Sequence, residues 1–138
     1  MEDTSKNNLL DECICFIQNH ARSAAKTGVD LMTMPPHAYY TKEGIQSIEI
    51  LKGNTQEWVT FVNKKMVLGS EFVLVWFLVS HPTASEKVVA IIYDKKSNYP
   101  LSFECTLGSL ISNTSIQMID ISEMFPELLY GYNYITYH

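Results

Sequence analysis

Long apolar runs are missing from this 138-residue sequence. A membrane-crossing helix needs about 18 or more consecutive apolar residues, and the longest apolar run, Phe72 to Val79, is strand-sized. No cationic-then-apolar leader opens the chain, so a cytoplasmic protein without membrane contact is expected. Charge is also sparse. Asp, Glu, Lys and Arg make up 18% of the residues, below the roughly 25% of an average globular protein, which argues against disorder and against a solvated coiled coil. Positive charge is in deficit, with a net charge of −5 and a pI near 5.3. A surface built to grip phosphates needs the opposite balance, so nucleic acid is excluded as the expected partner.

Cysteine is scarce and odd in number: Cys13, Cys15 and Cys105. Residues two apart diverge on a helix, so Cys13 and Cys15 make a poor disulfide pair. No CxxC or closely spaced histidine pair accompanies them, which argues against a metal. The cysteines read as small buried hydrophobes in a reducing compartment. Phosphate cradles are absent too, with neither G-x-G-x-x-G nor G-x-x-x-x-G-K-[ST] in the chain. Gly108-Ser109 lacks the earlier glycine of a nucleophile elbow. His20, His37, His81 and His138 are scattered without a pairing interval. His81 reads as a loop residue at a strand end, and His20 as a partly buried residue on a helix stripe. Glu104 with Asp120 or Glu71 is the carboxylate pairing that neighbouring strands would offer, and solvated acids on a sheet explain these equally. No catalytic constellation, cofactor or metal is expected, and hence no enzyme.

What is present is enough for one core. Hydrophobic residues are 46% of the chain, and a domain of this length buries about two-thirds of its unfolded surface. From Asn8 to Lys26 the residues Leu9, Leu10, Cys13, Phe16, Ile17, His20, Ala21 and Ala24 recur at spacings of three and four. This predicts a helix stopped near Gly28, after a frayed segment 1–7. Pro35-Pro36 predict an extended loop within Val29–Tyr40. Lys42–Leu51 fits a short helix or a strand. Thr55–Lys65 reads as a helix capped at Asn54 or Thr55, with Trp58, Phe61 and Val62 on its buried face. The period then changes to that of strands: Glu71–Ser80 buried on both faces, Lys87–Tyr93, Leu101–Leu107 with Ser102, Glu104 and Thr106 outward, and Ser115–Ile121. Leu128–Tyr137 ends the chain as an aromatic strand or loop. Trp58, Phe61, Val75, Phe77, Ile91 and Ile119 form the expected core. Helices first and strands later, with short connections, predict an α+β fold. In it the N-terminal helices pack on a mainly antiparallel β-sheet in a single compact domain spanning 1–138.

The strongest signal is an asymmetry. No Lys or Arg follows Lys96, while Glu104, Asp120, Glu123 and Glu127 remain in the last third, together with Tyr130, Tyr132, Tyr134 and Tyr137. Tyrosines supply large contact area with a polar tip, and carboxylates among them attract a cationic partner. The alternation of Tyr130, Tyr132 and Tyr134 is equally that of one packed face of a final strand. An acidic, tyrosine-rich single domain without an active site resembles the bacterial immunity proteins that neutralise toxins, in particular those of contact-dependent growth inhibition systems. The likeness lies in size, acidity, α+β layout and missing catalytic motifs along the whole chain, and no residue carries over from it. It implies a complex with a cognate cationic toxin, a nuclease by expectation, on a face drawn from those eight residues. A helix followed by an antiparallel sheet is also similar to the nuclear transport factor 2-like domains, which implies a ligand pocket in a curved sheet. That type's Asp–His pair has no defensible counterpart here. A third reading is a subunit whose aromatic end forms a homodimer.

Overall fold

The computed structural model describes residues 4–28, 35–81, 84–95, 100–106, 117–118 and 126–132. Helix α1 (Thr4–Lys26) is followed by strands β1 (His37–Lys42) and β2 (Ile45–Ile50), helix α2 (Thr55–Val67), and strands β3 (Phe72–His81), β4 (Ala84–Asp94), β5 (Leu101–Thr106) and β6 (Gln117–Met118). The short helix α3 (Pro126–Tyr130) comes last. The strands form one six-stranded sheet in the order β2-β1-β3-β4-β5-β6, with every neighbouring pair antiparallel. The chain is an α+β domain, as its pattern predicts.

Helices cover both faces of the sheet, because the central strands are apolar at successive positions. In β3, Val73, Val75 and Phe77 face α2 and α3, where they join Val62, Met66, Val89, Ile91, Tyr93, Leu128 and Tyr132. Leu74 and Trp76 point the other way, to Cys13, Ile17 and Ala21 of α1 and to Val88, Ala90, Ile92 and Phe103. Trp76 lies opposite Ala90 in the register, so the largest side chain of the strand meets the smallest of its neighbour. Each fully buried Val, Leu or Ile side chain contributes about 1.5–3 kcal/mol, and β3 supplies such residues to both cores. Of the expected core, Trp58, Val75, Phe77 and Ile91 are buried. Phe61 is half-buried at the rim, and Ile119 lies outside the described residues.

Local chemistry accounts for the boundaries. Asn54 caps α2 by accepting a hydrogen bond from the Glu57 N–H at 3.0 Å, with Glu57 in the first turn and Lys64 and Lys65 in the last. The ambiguous segment is β2, and it joins β1 through a tight turn in which Glu43 has φ 53 and Gly44 φ 80. Two positive φ angles in a two-residue hairpin loop match the twist of the flanking strands, and Gly44 takes its angle without steric cost. Other expectations need correction. α1 begins at Thr4, four residues before the expected start at Asn8. The loop expected over Val29–Tyr40 gives way at His37, immediately beyond the two prolines, where His37, Ala38 and Tyr39 enter β1 and are buried. Ser102 and Glu104 are not outward residues. Ser102 is buried, and both lie on the α2 side, opposite Ile91 and Val89. Cys13 and Cys105 are buried as expected, whereas Cys15 is exposed.

Candidate functional site

The acidic, tyrosine-bearing end of the chain is held to the body by α3. Pro126 occupies the first position of this helix, where its missing N–H costs nothing and its fixed φ suits the turn. Leu128 is buried, and its carbonyl oxygen accepts a 2.6 Å hydrogen bond from the Tyr93 hydroxyl. Asn63 of α2 donates to the Gly131 carbonyl at 2.9 Å. Gly131 is a close-approach position: a Cβ there would stand 2.6 Å from the Glu127 carbonyl oxygen and 2.9 Å from Val59.

The predicted site residues separate on this frame. Glu127 accepts a hydrogen bond from the Thr55 hydroxyl, which lowers its carboxyl pKa. Thr55 opens α2, so Glu127 and the exposed Glu57 both stand at the positive end of that helix. Tyr130, one turn beyond Glu127, is 72% exposed and presents its ring to solvent. Tyr132 is 6% exposed and packs on Tyr93 with ring centroids 5.0 Å apart. Its placement is a correction: the chain leaves α3 after Tyr130 and turns inward, so Tyr130 and Tyr132 do not share a strand face, and Tyr132 belongs to the core. Glu104 sits on β5 with its carboxylate 3.2 Å from the Lys87 ammonium, so its charge is already compensated within the sheet. It does not pair with Glu71. Glu104 is level with Val89 and Phe77 in the register, about 20 Å along the strands from Glu71. Asp120, Glu123, Tyr134 and Tyr137 lie outside the described residues.

A second constellation was not legible in the sequence. His20 of α1, His37 of β1 and Trp76 of β3 converge on the α1 side of the sheet. Ring centroids are 5.0 Å apart for the two histidines, 5.5 Å for His20–Trp76 and 5.3 Å for the stacked His37–Trp76 pair. His37 Nδ1–H donates to the Pro35 carbonyl at 2.6 Å, which leaves Nε2 as the ring's acceptor. Burial lowers both imidazole pKa values, and for His20 the neighbouring His37 adds to the effect. Both rings therefore favour the neutral form more than a free imidazole does. Beside them, the Tyr39 hydroxyl reaches Glu12 at 3.4 Å, and burial followed by the Glu12 charge pushes its pKa up to about 12. Two imidazoles against a tryptophan make an aromatic cluster in which burial disfavours protonation. Among the described residues, no group of three or more His, Cys, Asp or Glu side chains is placed to hold a metal ion, and no helix is long and apolar enough to cross a membrane.

Compared with the models of protein families, with curated proteins and with solved structures, the chain finds no match in any of the three.

Proposed function

We propose that this chain is a protein-binding domain that neutralises a cationic toxin, the role of the bacterial immunity proteins that it resembles in size, acidity and layout. One observation carries the reading. The last 42 residues contain no Lys or Arg, yet they hold four carboxylates and several tyrosines. Glu127 and the open Tyr130 ring, carried on a helix pinned by Tyr93 and Asn63, supply a rigid part of that face. A pre-ordered aromatic beside carboxylates suits a basic partner, because long-range attraction raises the encounter rate and the ring supplies buried area after docking. Glu104 and Tyr132 have structural partners, and the proposed face does not rely on them. In this reading the protein is cytoplasmic, binds its toxin one to one and performs no chemistry of its own.

The test is surface plasmon resonance against a cationic toxin domain from a neighbouring reading frame, sought for the purpose, at two salt concentrations. Association that slows as salt rises is expected, since exposed charges are screened beyond a Debye length of about 8 Å at physiological ionic strength. Absence of binding overturns the reading. Salt-insensitive binding that Tyr130→Ala and Glu127→Lys leave unchanged moves the interface off this face.

A further inference from the structure

Strand β2 ends the sheet and is unlike the rest of it. Ile45, Ile48 and Ile50 are 68%, 42% and 55% exposed, half of the large hydrophobic side chains left open among the described residues. Natural edge strands are blunted by lysine, proline, bulges or short length. β2 runs for six residues without Pro or Lys and keeps an unbroken register with β1. Its single charge, Glu49, is turned back to its own domain, where the Tyr40 hydroxyl donates to it at 2.6 Å and Lys65 lies 3.5 Å away.

The backbone shows which groups are free to pair. The Leu51 N–H donates to the Pro36 carbonyl at 2.8 Å, so the odd-numbered residues of this stretch turn their N–H and C=O toward β1. Alternation in an antiparallel ladder then directs the N–H and C=O of Gln46, Ile48 and Ile50 outward. These residues also share one sheet face, since their β1 partners Thr41, Tyr39 and His37 do.

We propose that β2 pairs antiparallel with β2 of a second copy of this chain, with Ile48 facing Ile48 across a two-fold axis. A two-fold axis perpendicular to the joined sheet keeps each face continuous, so residues of like parity must meet. Centred on Ile48, the register sets Gln46 opposite Ile50 in both halves, and every outward N–H and C=O finds its complement. It sets Glu49 opposite Ser47; shifted by one residue pair toward the C-terminal end of the strand, the register would oppose Glu49 to itself, a destabilising like-charge contact, and shifted the other way it would bring Glu49 against Ile45. It also carries Lys52 of one copy to the Glu43–Gly44 turn of the other, so opposite charges meet twice by symmetry. Two acidic molecules thus approach where their local charges are balanced, and the isoleucines at positions 48 and 50 gather in one apolar patch. The result is a continuous sheet of twice the width.

Sedimentation equilibrium of the full chain from about 1 μM to about 1 mM, the span that resolves weak dimers, tests this. The mass is expected to rise with concentration from the 15.7 kDa of the chain toward twice that value. Ile48→Lys places two ammonium groups across the axis, and it is expected to hold the protein at the monomer mass over the whole range with its far-ultraviolet circular dichroism unchanged. Should that variant fail to fold, Ile50→Lys, at a more exposed position of the same patch, is expected to give the same result. A wild-type mass that stays monomeric throughout overturns the proposal, as does a folded β2 variant that dimerises like the wild type.

Discussion

The hydroxyl of Tyr93, deep in strand β4, donates a 2.6 Å hydrogen bond to the carbonyl oxygen of Leu128, the buried residue of helix α3. A helix of five residues is far too short to persist alone. This bond and the Tyr93–Tyr132 ring contact hold it on the sheet. Burial also pushes the Tyr93 phenol well above the ordinary tyrosine pKa, so it remains a donor across the physiological range.

Tyr93→Phe therefore leaves the Leu128 carbonyl buried without its donor. A loss of about 1–3 kcal/mol is expected in urea unfolding, the cost of stranding a buried polar group.

Tyr130→Ala and Tyr132→Ala should divide cleanly. The exposed ring at 130 is expected to change stability by less than about 0.5 kcal/mol; on the proposed function, its loss is expected to speed dissociation from a cationic partner by the equivalent of about 2 kcal/mol, the scale of an interface hot spot. The buried ring at 132 is expected to cost about 3–5 kcal/mol of folding stability. Paired urea melts and dissociation kinetics check both.

Phe77→Ala empties a position beneath α2 where the ring meets Trp58 at 5.1 Å between centroids. A loss of about 3–5 kcal/mol is expected in urea melts, the range for large aromatic truncations in cores.

Gly131→Ala drives a methyl group against a backbone oxygen that cannot swing away. Overpacking of this kind costs about 1–3 kcal/mol. A lowered melting temperature by circular dichroism is the expected readout.

Stability should fall between about pH 7 and pH 5.5. His20 and His37 both have pKa values below 6.5 in the folded protein. As pH drops through about 6.5 the unfolded chain binds protons that the native state refuses, so the equilibrium moves toward unfolding until the native rings titrate as well. Above about pH 7 both states are neutral at these rings and the dependence is flat. His20→Gln removes one of the two groups, and its urea midpoints at the two pH values should lie closer together than those of the wild type.

The sheet's centre was legible because β3 carries apolar residues at successive positions, and its short length and β-branched and aromatic residues favour a strand covered on both sides over a buried helix. α2 was legible from Asn54, Glu57 and the Trp58–Phe61–Val62 spacing, all local signals. β2 was ambiguous for a physical reason: its isoleucines are exposed, so no buried face imposed a period on them. Pro35-Pro36 concealed β1, whose burial comes from neighbours far along the chain. At the candidate site the spacing of Tyr130 and Tyr132 suggested a strand. Pro126 instead opens a helical turn, and the chain bends back to Tyr93 through the small Gly131. The His20–His37–Trp76 cluster joins three elements through tertiary packing, and no spacing in one sequence encodes such a meeting.

The placement of α1 has a consequence for synthesis. Its apolar stripe of Cys13, Ile17 and Ala21 packs against side chains that include Phe103 and Cys105. These emerge from the ribosome about 80 residues later, a delay of roughly 4–16 s at 5–20 residues per second. Residues of β1, β3 and β4 reach the helix earlier, but until β5 emerges its native cover is incomplete. A chaperone that holds nascent chains would find its binding surface there, and ribosomes arrested before β5 should display it.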